Sequence, residues 1–526
     1  MPKDPSQGQL QPLITLYSQG QLEQALSHAS HMQQKFPNSA VIYNILGATN
    51  AGLGSFAAAI DSYKQALKLK PDYAAAEAQL LHQLQRICDW THIDKQREAY
   101  RRLGITTKAV SPFLMLPSED NAERQLARSR AWVAENYKQQ PRPMPARQQS
   151  RPNRLRIGYF SADFHDHATM FLIAGLLRDH DSARFELYAY SYGRYTSGDW
   201  RKRAEGDVDH FFDVADLSDS ALIKLARSHQ LDVAVDLKGY TEHTRSEVFQ
   251  YRLAPIQINY LGYPGSMAAD FIDYILADPI VIPKDQRQHY SESVIYLPHT
   301  YQPNDDAREI AQTSTTRADF RLPKEAFVFC CFNDNYKISP REFDIWMRLL
   351  LKVEDSVLWL LKTNHWAEQN LRKEAKARGV DPLRLIFADK LKQIEHLARH
   401  KHADLFIDTF NYNAHTTASD ALWAGLPVVT KIGEQFAARV SASLLQAVGL
   451  PELITDKEEN YEALILNLAT RPDKLGAIKK KLAANRLSQP LFDTKRYARN
   501  FEQGLLRAND LYFSGSNAQD IWVNEE

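Results

Sequence analysis

The chain has 526 residues, enough for about three domains of ~150 residues each. Its 44% hydrophobic and 24% charged residues are those of ordinary globular protein, and no run approaches the ~18 apolar residues of a membrane span. The formal net charge is zero, which argues against a surface for nucleic acid or anionic lipid.

The first residues, Met1-Pro2-Lys3-Asp4-Pro5, lack the apolar core of a signal peptide. The cysteines, Cys88, Cys330 and Cys331, have neither metal-ligand nor disulfide spacing. Both features point to a cytoplasmic, reducing setting.

A period follows. Gly20 and Gly54 are 34 residues apart, as are Leu22 and Phe56, Ala25 and Ala59, Met32 and Ala66, and Pro37 and Pro71. Small alanines permit close helix approach, glycine closes a helix, and proline stops the next one. Agreement of five pairs at one period resembles the tetratricopeptide repeat, two short helices per unit. Tyr17, Leu46 and Tyr63 are expected to fill the space between helices, and a third unit is expected from near Asp72 through Cys88-Asp89-Trp90. A helical domain over 8–105 is expected to present a groove for a peptide or protein partner, a use the fold alone does not prove.

Residues 106–153 read as a linker. Pro112, Pro117, Pro141, Pro143, Pro145 and Pro152 punctuate it, Arg147 to Arg151 is polar, and the pattern at 121–137 predicts one helix.

From residue 155 short apolar runs alternate with amphipathic ones. Strands are predicted at 155–160, 185–190, 231–237, 256–261 and 274–277, and again at 327–332, 356–361, 385–387, 405–407 and 427–430. Helical patterns include 341–351, 367–378 and 436–448. This alternation predicts an α/β architecture of two doubly wound, Rossmann-like halves, 154–310 and 311–475, with a polar hinge over 298–321. Residues 476–526 are expected to form a C-terminal helix and tail.

Ligands of such folds bind at the carboxyl ends of strands. Those ends here read Asp163-Phe164-His165-Asp166-His167, Lys238-Gly239-Tyr240-Thr241, Leu261-Gly262-Tyr263-Pro264-Gly265, Asn333-Asp334-Asn335-Tyr336-Lys337 and His415-Thr416-Thr417. The last opens a helix-like run, where free N–H groups and the helix dipole favour an anion, although an ordinary Thr/Ser helix cap would look alike. The chain has no G-x-G-x-x-G, P-loop or suitably placed Asp-x-Asp pattern.

In this order, Asp163-Phe164 with His167, Arg252-Leu253-Ala254-Pro255-Ile256-Gln257, Leu261-Gly262-Tyr263-Pro264-Gly265, Leu297-Pro298-His299-Thr300, Tyr336-Lys337-Ile338, His415-Thr416-Thr417 with Asp420, and Leu422-Trp423-Ala424-Gly425 resemble the O-GlcNAc transferase family. These are tetratricopeptide-repeat glycosyltransferases with a B-type fold. The resemblance implies inverting, metal-independent transfer of a sugar from a UDP-sugar co-substrate to protein Ser/Thr hydroxyls, with no cofactor. By the same resemblance Lys337 neutralises the diphosphate and His415, Thr416 and Thr417 form its binding turn. Asp420, Lys392, His396 and Arg399 serve the nucleotide sugar, with the last three expected on one helix face. Leu261, Gly262, Tyr263, Pro264 and Gly265 shape the sugar and acceptor pocket. His167 is either the general base or a positioning group. Asp334 stands where animal members carry glutamine, and a carboxylate there would repel a diphosphate unless paired. That departure leaves the donor open: the family resemblance favours UDP-N-acetylglucosamine, with UDP-glucose and GDP-fucose as alternatives. A non-catalytic repeat scaffold is the reading from another class.

Overall fold

The computed structural model describes residues 3–137 and 152–525. The linker features at Pro141, Pro143, Pro145 and Arg147 to Arg151 lie outside the described residues. Among the described residues no helix is long and apolar enough to cross a membrane.

The N-terminal part is three helix pairs: Gln7–Ser18 with Leu22–Lys35, Ala40–Gly52 with Phe56–Leu69, and Ala74–Arg86 with Ile93–Arg102. Gly20 and Gly54 follow the first helix of their pairs at φ 70° and 72°, a left-handed conformation that costs glycine least. Another 34 residues on stands Cys88, at φ 52°. The third unit thus makes the same turn without the glycine that advertises it. Leu46 and Tyr63 are buried as expected, and a Cβ on Gly47 would lie 2.6 Å from the Tyr63 ring. Tyr17 differs. It is 40% exposed, on a helix with a single buried residue, Leu13, and does not fill the core.

The first α/β half holds an all-parallel sheet. Its strands are β1 (Leu155–Ser161), β2 (Phe185–Ser191), β3 (His210–Asp213), β4 (Val233–Asp236), β5 (Ile256–Asn259), β6 (Tyr274–Ala277) and β7 (Ser293–Tyr296). The second half holds β8 (Phe327–Cys331), β9 (Ser356–Leu361), β10 (Leu385–Ala388), β11 (Leu405–Ile407), β12 (Val428–Lys431) and β13 (Ile454–Thr455). A last strand, β14 (Ile521–Trp522), returns to the first sheet beside β7. The spatial orders are β14-β7-β6-β5-β4-β1-β2-β3 and β10-β9-β8-β11-β12-β13. Most residues of these strands are buried, as expected of parallel sheets covered by helices on both faces.

Each sheet grows outward from its first strand, then restarts on the other side. The switch points lie between β1 and β4 and between β8 and β11. Loops leaving neighbouring strands diverge there and open a crevice.

Helix Thr494–Ser514 packs Tyr497, Phe501 and Leu505 into the first half's core. The turn before it, Pro490–Phe492, sits on the second half, with Phe492 against Trp423 at 5.0 Å between ring centres. The end of the chain thus ties the halves together. The helical domain rests on the second half: Asn364 Nδ2 donates to the Arg86 carbonyl at 2.9 Å, and the Phe56 and Trp366 rings meet edge-on at 5.7 Å.

Candidate active site

Both switch points carry the polar strand ends. In the second half β8 runs into the turn Asn335–Lys337. The helical domain clamps this turn: the Cys88 thiol donates to the Asn335 carbonyl at 3.6 Å, and His82 packs on Tyr336 at 5.4 Å. Lys337 Nζ donates to the Asn413 carbonyl at 3.1 Å and lies 3.8 Å from the centre of the Tyr412 ring. Burial pushes the ammonium down to about 8, while the Asp408 and Asp334 carboxylates limit the drop. Asp334 precedes the same turn, half-buried.

Asp408, directly after β11, is fully buried. Its Oδ1 accepts the Thr409 and Ala414 N–H groups at 2.8 and 2.7 Å, and its Oδ2 accepts the Thr430 hydroxyl at 2.7 Å. This carboxylate folds residues 409–415 back toward Lys337. His415 then caps helix Thr416–Trp423, but its own side chain makes no cap hydrogen bond to the helix N–H groups. Its Nε2 donates to the Ala437 carbonyl at 3.1 Å, and burial beside Lys337 holds the ring well below its usual range, hence neutral. Thr416 and Thr417 are half-buried, and the Thr417 hydroxyl donates to Asn333. An ammonium, a neutral imidazole, two hydroxyls and a helix N-terminus are groups whose chemistry suits an anion.

Asp420, one turn further, is committed. It accepts Arg308 Nη1 at 2.6 Å and Gln393 Nε2 at 3.2 Å, and burial raises its carboxyl against the pull of Arg308. Lys392 caps helix Gln393–Arg399 from outside it and is exposed, so the expected single helix face becomes an exposed cap, a half-buried His396 and a buried Arg399. Arg399 Nη2 meets His396 Nδ1 at 2.6 Å, Arg399 Nη1 donates to the Asp389 carbonyl at 2.6 Å, and the guanidinium lies 4.3 Å from the centre of the Phe332 ring. Burial lowers it to about 10. Arg399 is only 1% exposed and contacts His396, which is half-buried.

In the first half His167 caps helix Ala168–Asp179, accepting the Thr169 N–H on Nδ1 at 3.2 Å. Asp163 Oδ2 lies 3.4 Å from the same nitrogen. Lys238, from the loop after β4, grips both Asp163 oxygens at 3.0 and 2.8 Å. In the loop after β5, Leu261 takes φ 70°, and a Cβ on Gly262 would fall 2.1 Å from the Leu237 carbonyl. Glycine is thus required there by the chain itself. Pro264 and Gly265 are buried, and the Gly265 carbonyl accepts Asn259 Nδ2 at 3.1 Å. Tyr263 turns its hydroxyl away to Gln125 Nε2 at 2.8 Å on helix Ala122–Asn136. Helix Ala168–Asp179 lies against helix Thr416–Trp423, one of the contacts between the two halves.

Asp408 bonds the turn before His415 and Arg308 bonds Asp420, neither having stood out in the sequence, whereas Asn333 was part of a strand-end run but had no assigned partner. The signal for Asp408 was its place at a strand end; Arg308 sits in the strandless hinge, where no periodicity points to a partner.

The sequence pattern of glycosyl transferase family 41 matches residues 131–313 and 306–501. A probable UDP-N-acetylglucosamine–peptide N-acetylglucosaminyltransferase of Arabidopsis thaliana is 34% identical, over 85% of this chain and 48% of its own. A UDP-N-acetylglucosamine–peptide N-acetylglucosaminyltransferase of Caenorhabditis elegans is 28% identical, over 71% of this chain and 42% of its own. The chain therefore spans about half the length of these relatives. Among solved structures, a mutant O-GlcNAc transferase of Thermobaculum terrenum superposes with a TM-score of 0.79 at 23% identity, covering 98% of this chain and all of that one.

Proposed function

This chain belongs to glycosyl transferase family 41, and on that premise we propose that it transfers N-acetylglucosamine from its UDP-sugar to serine and threonine hydroxyls of proteins. What supports the reading is that Lys337, His415, Thr416 and Thr417 gather after β8 and β11 at one switch point, while His167 follows β1 at the other. The acceptor oxygen bonds to the anomeric carbon as the bond from that carbon to the phosphate oxygen breaks. The hydroxyl proton leaves to the departing diphosphate or to water. Attack from the face opposite the leaving group inverts the anomeric centre.

Negative charge grows on the diphosphate as it leaves. The Lys337 ammonium and the N-terminus of helix Thr416–Trp423 stabilise it in place, the role a divalent metal fills elsewhere. Lys392 and His396 hold the nucleoside, with Arg399 behind His396 and the Asp420–Arg308 pair at the floor. The turn at Leu261, Gly262, Tyr263, Pro264 and Gly265 bounds the sugar. The helix pairs dock the acceptor protein. Asp334, beside Lys337, keeps UDP-glucose and GDP-fucose in play as donors. Nucleotide release from a panel of these three donors, with and without added protein, tests the reading. Release from UDP-N-acetylglucosamine that rises with protein supports it; release from another donor alone reassigns the sugar.

A further inference from the structure

We propose that Lys238 is a positioning residue for His167: by occupying Asp163 it leaves His167 Nδ1 bare and places the imidazole proton on Nε2, so that His167 donates a hydrogen bond and does not take a proton. The inference rests on the proposed reaction for its meaning, but its physical content is separate.

His167 Nδ1 has two neighbours that demand opposite things. The Thr169 N–H, at 3.2 Å, needs a lone pair. The Asp163 carboxylate, at 3.4 Å, needs a proton. The Thr169 N–H belongs to the first turn of a helix, cannot give up its proton, and would otherwise be unsatisfied. Asp163 is already served. Lys238 Nζ holds both its oxygens, and the Thr169 hydroxyl adds a contact at 3.3 Å. An ammonium at hydrogen-bond distance cancels most of the carboxylate's pull, and 3.4 Å lies beyond the usual N–H···O range.

The fold imposes this pairing. Lys238 and Asp163 leave neighbouring strands at the switch point, with side chains only 6% and 8% exposed. The Lys238 N–H is fixed on Asp236 Oδ1 at 2.9 Å. The charged and titratable groups facing His167 are Asp163, Lys238, His165 and His243. Burial, then Lys238 and the two histidines, hold the ring below its ordinary value, with Asp163 opposing. For Asp163 burial acts upward, and Lys238 and His167 more than offset it. With Lys238 removed, the carboxylate would claim an Nδ1 proton and raise the ring's basicity.

The test is the 15N–1H spectrum of the full-length protein with labelled histidine, assigned with H167Q. The expected wild-type form is Nε2–H with a bare Nδ1; an Nδ1–H form overturns the proposal. In K238M the proton should move to Nδ1 and the His167 titration midpoint rise by about one pH unit. K238R should keep the wild-type tautomer. The double variant D163N/K238M, free of any unpaired buried charge, should stay folded and keep Nε2–H even if K238M does not fold. A folded K238M with unchanged His167 also overturns the proposal. In turnover, H167Q, which keeps a donor but no base, should retain several-fold more activity than H167A; equal loss contradicts the donor role. The spectra need no turnover, so they separate failure of this inference from failure of the proposed activity.

Discussion

At the scale of single residues the site works by charge held ready. Lys337 is kept at about 8 by burial, and a diphosphate beside it would push it back up. Hence kcat/KM, which reports the free enzyme, should fall as pH rises through about 8, whereas kcat should fall only at higher pH. Parallel profiles would mean that Lys337 does not meet the nucleotide. The sign for stability is the opposite. Between about 8 and ~10.4 the unliganded fold binds fewer protons than the unfolded chain, so this group adds stability as pH rises across that window. Lys337→Ala should lower turnover by roughly two to three orders of magnitude, as loss of one preorganised oxyanion contact does. His167→Ala should cost turnover while leaving UDP affinity unchanged by calorimetry; a collapse in UDP affinity would place His167 on the nucleotide. Lys337, His415 and Thr417 could be named from sequence because they sit at strand ends in recognisable runs. Asp408 and Lys238 could not be given their roles, since each acts through a partner that only the sheet order brings close.

At the scale of elements, glycine positions divide into two kinds. Gly54 has φ 72°, and a Cβ there would meet nothing within 4 Å, so Gly54→Ala should cost about 1–2 kcal/mol from backbone strain alone. A lower urea midpoint for the helical domain checks it; an unchanged midpoint contradicts the left-handed turn. Gly262 fails by contact instead, against the Leu237 carbonyl. The ten predicted strands all appear, with ends shifted, because continuous apolar runs mark buried parallel strands. The strands His210–Asp213, Ser293–Tyr296, Ile454–Thr455 and Ile521–Trp522 escaped prediction. The first carries polar ends at an exposed edge, and the last two have two residues each, too short for any period. The helix expected over 436–448 breaks into a turn, Phe436–Ala438, and a helix, Val440–Ala447, where the Ala438 N–H closes on Gln435 and the Arg439 guanidinium reaches the Gly433 carbonyl.

At the scale of the whole molecule, the terminal segment ties the two halves together and the helix pairs brace the second. Trp522 stacks on Tyr296 at 4.0 Å, and β14 covers the edge of β7. Ending the chain at Gly515 should lower the thermal midpoint of the first half and leave UDP binding in the second unchanged; lost UDP binding would mean that the halves do not respond separately. The central claim is that this assembly glycosylates protein hydroxyls from UDP-N-acetylglucosamine. Mass spectrometry of an added protein lysate after incubation with that donor tests it most directly. The account predicts N-acetylhexosamine on serine and threonine with the wild-type protein and almost none with Lys337→Ala. Equal modification by both proteins, or none by either while UDP still binds, would contradict it.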